Sequence, residues 1–404
     1  MECTGSENDF EACSTTVCGD TKKSSNVTAA VLGAMVGILV IIVLIYIVLL
    51  IRKNRRAVIS NEYRRHLVDT SVYSIPGQLN VMYANVATPI GHSITDNDET
   101  AQIVMHNTDV HNASYYNMTD VTTRIKIDDI KTYITRQQCN NKLQEEFKGI
   151  PYGEQHPATT GRNKNNMNKN RFNAIFPYDH SRVVLQTLPG EAASDYVNAN
   201  YIDGFEKERR YIASQGPMKV TFADHWRMIW QNNIKKIIML ANLIEGGKVK
   251  CDRYWPVGGT NMDVGNFVLT LTSEKERATY ITREIAVVNK TTKENRYVIQ
   301  YHFTAWPDQG TPDSLYLVLF HKHVREDHFQ MQNGTILVHC SAGIGRTGTY
   351  IALDALFEEG QKTGFIDILK FVKSMRNSRM NMIQTKAQYV FLYYALLEAF
   401  TMKN

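Results

Sequence analysis

The chain contains few of the residues that mark specialised protein classes. Its 404 residues include six cysteines, too few for a disulfide framework, and 24 glycines and ten prolines, too few for a collagen-like chain. The formal net charge is only +5, so charge gives no reason to expect a nucleic-acid partner. With 43% hydrophobic and 21% charged residues, the composition is that of a folded globular protein rather than a disordered one.

One long hydrophobic run departs from this average. Segment 29–51 carries no charged residue, and as a helix with ~1.5 Å rise per residue it is long enough to cross ~30 Å of hydrocarbon. The alternative is a buried core helix, but such helices are rarely apolar on every side over this length. Basic residues crowd 52–56, whereas the preceding segment 1–28 is mainly acidic. The positive-inside bias therefore predicts a single-pass cell-membrane protein with its N-terminus outside.

Two features near the predicted span offer a route to a homodimer. Gly33 and Gly37 form a GxxxG pattern, which suits a helix–helix seam, although glycine is also common in membrane helices without one. The predicted extracellular tail 1–28 holds three cysteines, an odd number that leaves one thiol for a bond between chains. Dimerisation through this end is therefore a hypothesis.

The cytoplasmic side begins with a predicted linker, 52–124, that is rich in Asn, Thr, Ser and Asp. Its basic start is expected to contact the anionic headgroups of the lipid bilayer. Tyr83 opens the sequence YANV and Tyr115 opens YYNM, and both resemble short patterns bound by SH2 domains. A solvated tyrosine with no role is the alternative interpretation of each.

The remainder, 125–404, mixes strand-like and helical patterns without an internal repeat. Ile237–Leu243 and Tyr297–Phe303 have strand composition, and Thr335–His339 is a short apolar run that enters a glycine-rich turn. We therefore expect a single α/β (α+β) domain. No two cysteines of this part lie close together, so no metal site is predicted. Helical spacing is seen at Tyr350–Glu359, Ile366–Met375 and Gln388–Phe400.

The chemistry is concentrated in the segment 336–348, which reads ILVHCSAGIGRTG. A strand runs into a loop of small residues and then into a helix, so that consecutive backbone N–H groups can turn inward and form an anion cradle. Cys340 stands at the start of the cradle, where a thiolate is stabilised, and Arg346 adds a planar fork that fits two phosphate oxygens. A nucleophile in a phosphate cradle predicts phosphoryl transfer to sulfur.

The same string permits a second interpretation, a dinucleotide-binding enzyme. Gly343, Gly345 and Gly348 match the GxGxxG fingerprint after a strand, and Asp367 follows at about the expected spacing. The fingerprint helix should lead into a second parallel strand, yet Ile366–Met375 has helical spacing. The sequence context therefore favours the phosphate cradle.

The string HCSAGIGRTG at 339–348 resembles the signature of the classical protein tyrosine phosphatases. With the predicted span, the chain resembles a receptor-type member with a very short extracellular segment and one catalytic domain. The resemblance implies a twisted mixed β-sheet flanked by helices, and hydrolysis of phosphotyrosine in proteins through a phosphocysteine intermediate without a cofactor or a metal. Further matches stand in order at 169–172, 177–182, 194–204, 215–217, 250–256, 306–308 and 384–388.

The resemblance also implies residue roles. Cys340 is the expected nucleophile, Arg346 the phosphate ligand, and Asp308 the general acid on a hinged loop. Thr347 would hydrogen-bond the sulfur, and His339 would support the thiolate. The expected substrate-binding residues are Phe172, Glu245, Lys250, Asp308, Cys340, Ser341, Ala342, Gly343, Ile344, Gly345, Arg346, Gln384 and Gln388.

Four of these residues have a more specific expected role. Gln384 would position the hydrolytic water with help from Gln388, and Thr385-x-x-Gln388 also has the spacing of a helix capping box. Glu245 and Lys250 would brace the cradle arginine and the acid loop, although solvated charges are the default interpretation of such residues alone.

Two positions depart from the family pattern. Phe172 stands where the family usually has tyrosine, and Ala174 stands where it usually has Asp or Asn to hold the substrate backbone. The aromatic face of Phe172 can still flank a phosphotyrosine ring. These departures motivate the alternative hypothesis of a phosphotyrosine-binding pseudophosphatase or scaffold with weak turnover.

Overall fold

The computed structural model describes residues 123–138, 141–191, 193–326 and 334–402. The predicted extracellular tail 1–28, the span 29–51 and the linker up to residue 122 lie outside them, as do the GxxxG pattern, Tyr83 and Tyr115. Among the described helices, none combines the length and the apolar character that a membrane crossing needs. The domain boundaries around the span therefore stay predictions.

Strands and helices alternate through the described part of the chain. The strands are β1 Ile125–Lys126, β2 Arg182–Val184, β3 Tyr196–Gly204, β4 Lys207–Ser214, β5 Lys236–Met239, β6 Ile244–Glu245, β7 Lys248–Val249, β8 Asn261–Val264, β9 Phe267–Glu276, β10 Tyr280–Asn289, β11 Asn295–Phe303, β12 Ile336–His339 and β13 Phe365–Ile366. The helices are α1 Ile130–Gln138, α2 Lys142–Lys148, α3 Thr159–Arg162, α4 Phe222–Gln231, α5 Ser314–Glu326, α6 Gly345–Thr363, α7 Ile368–Ser378 and α8 Lys386–Thr401.

The main sheet of the described residues has the strand order β2-β3-β4-β12-β5-β11-β10-β9-β8. Its central strands β4, β12, β5 and β11 are parallel, and antiparallel strands extend it on both sides. The expected α/β architecture, a mixed sheet with helices, is confirmed. The carboxyl ends of the four parallel strands lie at one edge, where ligands bind in open α/β sheets.

The central strand β12 shows why the sheet is covered on both faces. All four of its residues are buried, as expected of a parallel strand between two layers. Ile336 and Val338 belong to the hydrophobic cluster that contains α6 and α8, whereas Leu337 belongs to the cluster that contains Trp226 of α4. The segment that delivers the cradle is therefore fixed from both sides.

Two predicted elements end earlier or begin later than the sequence pattern indicates. The strand predicted at Ile237–Leu243 ends at Met239, because the chain then leaves the sheet toward the site. The helix predicted from Ile366 begins at Ile368, because Ile366 pairs with Ile125 outside the main sheet and Asp367 caps the helix, its carboxylate accepting from the Lys370 N–H at 3.0 Å. This arrangement contradicts the dinucleotide interpretation, in which α6 would lead into a parallel strand of the main sheet.

Candidate active site

The candidate site lies where the parallel strands end. The loop after β12 carries Cys340, the loop after β11 carries Asp308, and the hairpin after β5 carries Glu245. Together with the segment before α8, these loops enclose a cleft of about 540 Å³. Its lining includes Phe172, Glu245, Lys250, Asp308, Cys340, Ser341, Ala342, Ile344, Gly345, Arg346, Gln384 and Gln388.

The loop around Cys340 has a backbone conformation and hydrogen-bond donors that suit an anion. Gly343 has φ +72°, and a Cβ there would lie 2.1 Å from the Ser214 carbonyl oxygen, so the position requires glycine. The sulfur of Cys340 accepts hydrogen bonds from the Gly343 N–H at 3.3 Å and from the Thr347 hydroxyl at 3.2 Å. Both donors stabilise a thiolate, and α6 begins at Gly345, so its N-terminal dipole acts in the same direction.

Arg346 is held by a bidentate ion pair with Glu245. The two Nη atoms donate to the two carboxylate oxygens at 2.7 and 2.8 Å, and the Asn242 N–H donates to Glu245 at 2.9 Å. Arg346 also donates to the Pro307 carbonyl at 3.0 Å, which ties the cradle to the loop that carries Asp308. These contacts hold the guanidinium in place, and the brace implied for Glu245 has a direct contact.

Asp308 faces the cleft from a partly exposed position. Lys250 forms an ion pair with its carboxylate at 2.8 Å, and this hydrogen bond is the main reason that the pKa of Asp308 lies below its usual value. Gly246 has φ +53°, a conformation that favours glycine, and a Cβ there would lie 2.4 Å from the Asp308 carboxylate and would displace it. The loop is anchored by buried Trp306, whose indole N–H donates to the Gly310 carbonyl at 3.2 Å.

Gln384 and Gln388 meet at the start of α8. The Gln388 side chain accepts from the Gln384 N–H at 3.0 Å, and its backbone N–H donates to the Thr385 hydroxyl at 3.2 Å. The predicted capping box at Thr385 and Gln388 is confirmed. Because both glutamines also line the cleft, the capping contact and the substrate-binding role are compatible.

Ile383 carries backbone strain directly before Gln384. Its φ is +56°, a left-handed conformation that β-branched residues avoid and that costs about 1–3 kcal/mol. Its N–H donates to the Ile344 carbonyl at 3.1 Å, and its carbonyl accepts from Arg376 at 2.8 Å. These two bonds hold the strained turn that brings Gln384 to the cleft.

His339 contacts Cys340 only through the backbone. Its Nδ1 lies 3.3 Å from the Cys340 carbonyl oxygen, and its Nε2 lies 2.7 Å from the Tyr254 hydroxyl. Burial lowers the pKa of His339 to about 4, so the ring is neutral at physiological pH. Any support that His339 gives the thiolate therefore passes through the Cys340 peptide group.

Sequence reasoning missed Arg379, which holds the cradle from behind. This side chain is fully buried, and it donates to the carbonyls of Ala342 and Gly343 and to the side-chain oxygens of Asn198 and Asn200 at 2.7–3.1 Å. Burial lowers its pKa to about 10, which still leaves it charged. Its position at the end of an amphipathic helix is typical of a surface arginine, so no sequence signal indicated the role.

Arg171 connects the matched segment 169–172 with the matched segments 215–217 and 250–256. It donates to the Gly216 carbonyl at 2.9 Å, to the Pro217 carbonyl at 2.8 Å and to Asp252 at 2.9 Å. The loop that it anchors places Phe172 at the rim of the cleft with 41% of its surface exposed.

No group of three or more His, Cys, Asp or Glu side chains that could hold a metal lies among the described residues.

Comparisons with known proteins agree with this geometry. Residues 166–398 match the family described as protein-tyrosine phosphatase. The chain is 41% identical over 278 residues to receptor-type tyrosine-protein phosphatase F of Rattus norvegicus, covering 68% of this chain and 14% of that protein. It is 42% identical over 260 residues to receptor-type tyrosine-protein phosphatase zeta of Homo sapiens, covering 61% of this chain and 11% of that protein. The chain thus spans a small part of the length of these relatives.

We predict that Arg379→Met destabilises the protein by on the order of 3 kcal/mol. The substitution keeps most of the volume but leaves two loop carbonyls and two amide oxygens without their donor, and each buried unpaired group costs about 1–3 kcal/mol. Urea denaturation followed by tryptophan fluorescence measures the loss. Exposed Arg277→Met is the matched control and should leave the midpoint unchanged; equal midpoints for both variants would contradict the role of Arg379.

Proposed function

This chain belongs to the classical receptor-type protein-tyrosine phosphatase family, and we propose that it hydrolyses phosphotyrosine in proteins through a phosphocysteine intermediate. The observation that carries the proposal is the Cys340 sulfur, which accepts two hydrogen bonds at the start of a helix N-terminal cradle that faces Arg346 and Asp308. Attack by a thiolate on phosphorus needs this combination of nucleophile, anion cradle and acid.

In the first step the Cys340 thiolate attacks phosphorus, and the bond from phosphorus to the tyrosine oxygen breaks. The phenolate has a solution pKa of ~10, so a proton from Asp308 eases its departure. Negative charge is spread over the equatorial phosphate oxygens in the loose transition state, where Arg346 and the loop N–H groups bind them.

In the second step water attacks the phosphocysteine. Asp308, now a carboxylate, accepts a proton from the water that Gln384 orients, and the bond from sulfur to phosphorus breaks. The Thr347 hydroxyl donates to the departing sulfur, and inorganic phosphate leaves. Arg346 and the N–H groups supply the positive charge, so the chemistry needs no resident cofactor.

The shape of the cleft supports phosphotyrosine as the substrate class. Phe172 and Ile175 form an apolar wall beside the cradle, against which an aromatic ring can pack. A phosphoserine side chain is shorter, and its phosphate would not reach Cys340 past this wall.

We further propose that 29–51 anchors the catalytic domain 125–404 to the cell membrane, with 1–28 outside and the linker 52–124 inside. The hydrophobic run and the basic residues that follow it support this arrangement. Contact with the lipid bilayer, dimerisation through the span or a tail cysteine, and SH2-domain binding at Tyr83 or Tyr115 belong to the same proposal.

A phosphotyrosine-binding scaffold is the second candidate. The observation that favours it is the exposed Ala174, which offers no polar side chain to hold a substrate backbone. Binding of a phosphotyrosine peptide without its hydrolysis would support the scaffold and overturn the enzyme.

We predict that Cys340→Ser lowers the hydrolysis of p-nitrophenyl phosphate and of a phosphotyrosine peptide by at least about 10³-fold, because the nucleophile is lost. The full chain in mild detergent is assayed at pH 6, and peptide binding is measured in parallel. Cys251→Ala changes the other free cysteine of the described residues and should retain activity. Turnover that survives in Cys340→Ser would refute the proposed mechanism.

The pH dependence tests the role of Asp308. As the general acid, Asp308 must be protonated, so the rate falls as pH rises through its pKa. Lys250 lowers that pKa, and we predict that Lys250→Met raises it and moves the alkaline limb of the kcat profile to higher pH. Asp308→Asn should abolish the limb. A limb that stays in place in Lys250→Met would show that another group is responsible.

Membrane anchoring is tested by fractionation. We predict that the full chain stays in the membrane pellet after alkaline carbonate extraction and that deletion of 29–51 moves it to the supernatant. Deletion of 87–109, a stretch of equal length in the linker, is the control and should leave the chain in the pellet. Release of the intact chain by carbonate would contradict the anchor.

A further inference from the structure

A chain of hydrogen bonds crosses the interior of the sheet and ends at the nucleophile's backbone. Arg283 on β10 donates to the Gln300 side-chain oxygen at 2.9 Å, and the Gln300 amide nitrogen donates to the Tyr254 hydroxyl oxygen at 2.7 Å. Tyr254 lies 2.7 Å from His339 Nε2, and His339 Nδ1 lies 3.3 Å from the Cys340 carbonyl oxygen. Arg283 is 6% exposed, and the next three side chains are fully buried.

The direction of this chain follows from what each group can do. An arginine side chain can only donate, so the Gln300 oxygen must face Arg283 and its NH₂ group must face Tyr254. The Tyr254 oxygen then accepts from Gln300, and its own proton goes to His339 Nε2. Because the ring is neutral, Nδ1 carries the remaining proton and donates to the Cys340 carbonyl.

The first member of the chain is itself fixed on several sides. The Arg283 Nε donates to Glu274, the guanidinium lies 4.5 Å from the Trp255 ring centroid, and His302 Nδ1 lies 3.2 Å from Nη1. Burial and the charge of Arg283 lower the pKa of His302 to about 3. His302 is therefore neutral, with its Nε2 proton on the Ala241 carbonyl at 2.9 Å and a bare Nδ1 toward Arg283.

We propose that Gln300 and Arg283 are positioning residues that select the tautomer of His339 and thereby orient the peptide group between Cys340 and Ser341. The proposal rests on the proposed function, since it concerns the loop of the proposed nucleophile. A peptide group is planar, so its carbonyl and its N–H point in opposite directions. The bond from His339 to the Cys340 carbonyl therefore also fixes the direction of the Ser341 N–H in the cradle loop.

The packing around the carbonyl leaves little freedom to compensate. A Cβ on Gly216 would lie 2.5 Å from the Cys340 oxygen, so this oxygen sits against the Gly216 backbone. The opposite tautomer would point the bare Nδ1 lone pair at the carbonyl oxygen. The two would repel, and the peptide group would rotate away from the direction that the cradle needs.

The decisive variant is Gln300→Glu, which keeps the shape of the side chain and removes its donor. A carboxylate between Arg283 and Tyr254 accepts from both, so Tyr254 would turn its proton away from His339 and accept from Nε2. Histidine ¹⁵N NMR of the full chain in detergent separates protonated from bare ring nitrogens, and His339→Asn assigns the signal. We expect the proton on Nδ1 in the unmodified chain and on Nε2 in Gln300→Glu; an Nδ1 proton in both would overturn the proposal.

A neutral second variant tests the effect on the cradle and replaces the first if a buried carboxylate prevents folding. Gln300→Leu frees the Tyr254 hydroxyl, so His339 should populate both tautomers. The affinity for inorganic phosphate, measured by titration calorimetry, should fall about tenfold, the equivalent of one charge-assisted hydrogen bond. An unchanged tautomer and unchanged phosphate affinity in Gln300→Leu would overturn the proposal.

The control is Gln361→Glu on the exposed surface of α6, which adds the same charge away from the chain of bonds and should change neither signal nor affinity. The readouts also separate this proposal from the proposed function. Suppose that Gln300→Glu moves the His339 proton as expected but the unmodified chain hydrolyses no phosphotyrosine. The enzymatic function then fails while the positioning role stands.

Discussion

The structure depends on one geometric constraint, the opposite directions of N–H and C=O in every peptide group. A loop that turns successive N–H groups toward an anion must turn its carbonyls into the protein, where each needs a donor. The Ser341 carbonyl accepts from the Gly216 N–H at 2.8 Å, and the Ile344 carbonyl accepts from Gly348 and Ile383 at 3.0 and 3.1 Å. In the proposed tautomer His339 donates to the Cys340 carbonyl, and Arg379 donates to the carbonyls of Ala342 and Gly343.

Much of the surrounding fold supplies these donors. Arg379 reaches the loop because it directly follows the end of α7, and the side-chain oxygens of Asn198 and Asn200 of β3 accept two further N–H groups. A buried guanidinium without a carboxylate partner is costly, and here four oxygen acceptors surround it. The positive charge also lies behind the loop, where it would attract an anion held by the loop N–H groups.

The sequence predicted the cradle well because its parts are local. A strand, a run of small residues and a helix lie within thirteen positions, so Cys340 and Arg346 follow from that string, and the family resemblance adds Thr347. Arg379, Tyr254 and Gln300 could not be predicted, because they reach the loop only through the fold and resemble surface or strand residues in isolation. The end of β5 at Met239 was missed for the same reason, since the apolar run continues while the chain already turns toward Glu245.

The paired charges of the cleft bear on how Asp308 would act as the proposed general acid. The ion pair with Lys250 lowers the pKa of Asp308, and Glu245 balances the charge of Arg346. A phosphate dianion beside Asp308 opposes the field of Lys250 and favours protonation of the carboxyl group. Because Arg346 also donates to the Pro307 carbonyl, the proposed phosphate ligand is connected to the loop that carries the proposed acid. In the proposed mechanism, the charge of the substrate would therefore help to place a proton on Asp308, next to the leaving oxygen.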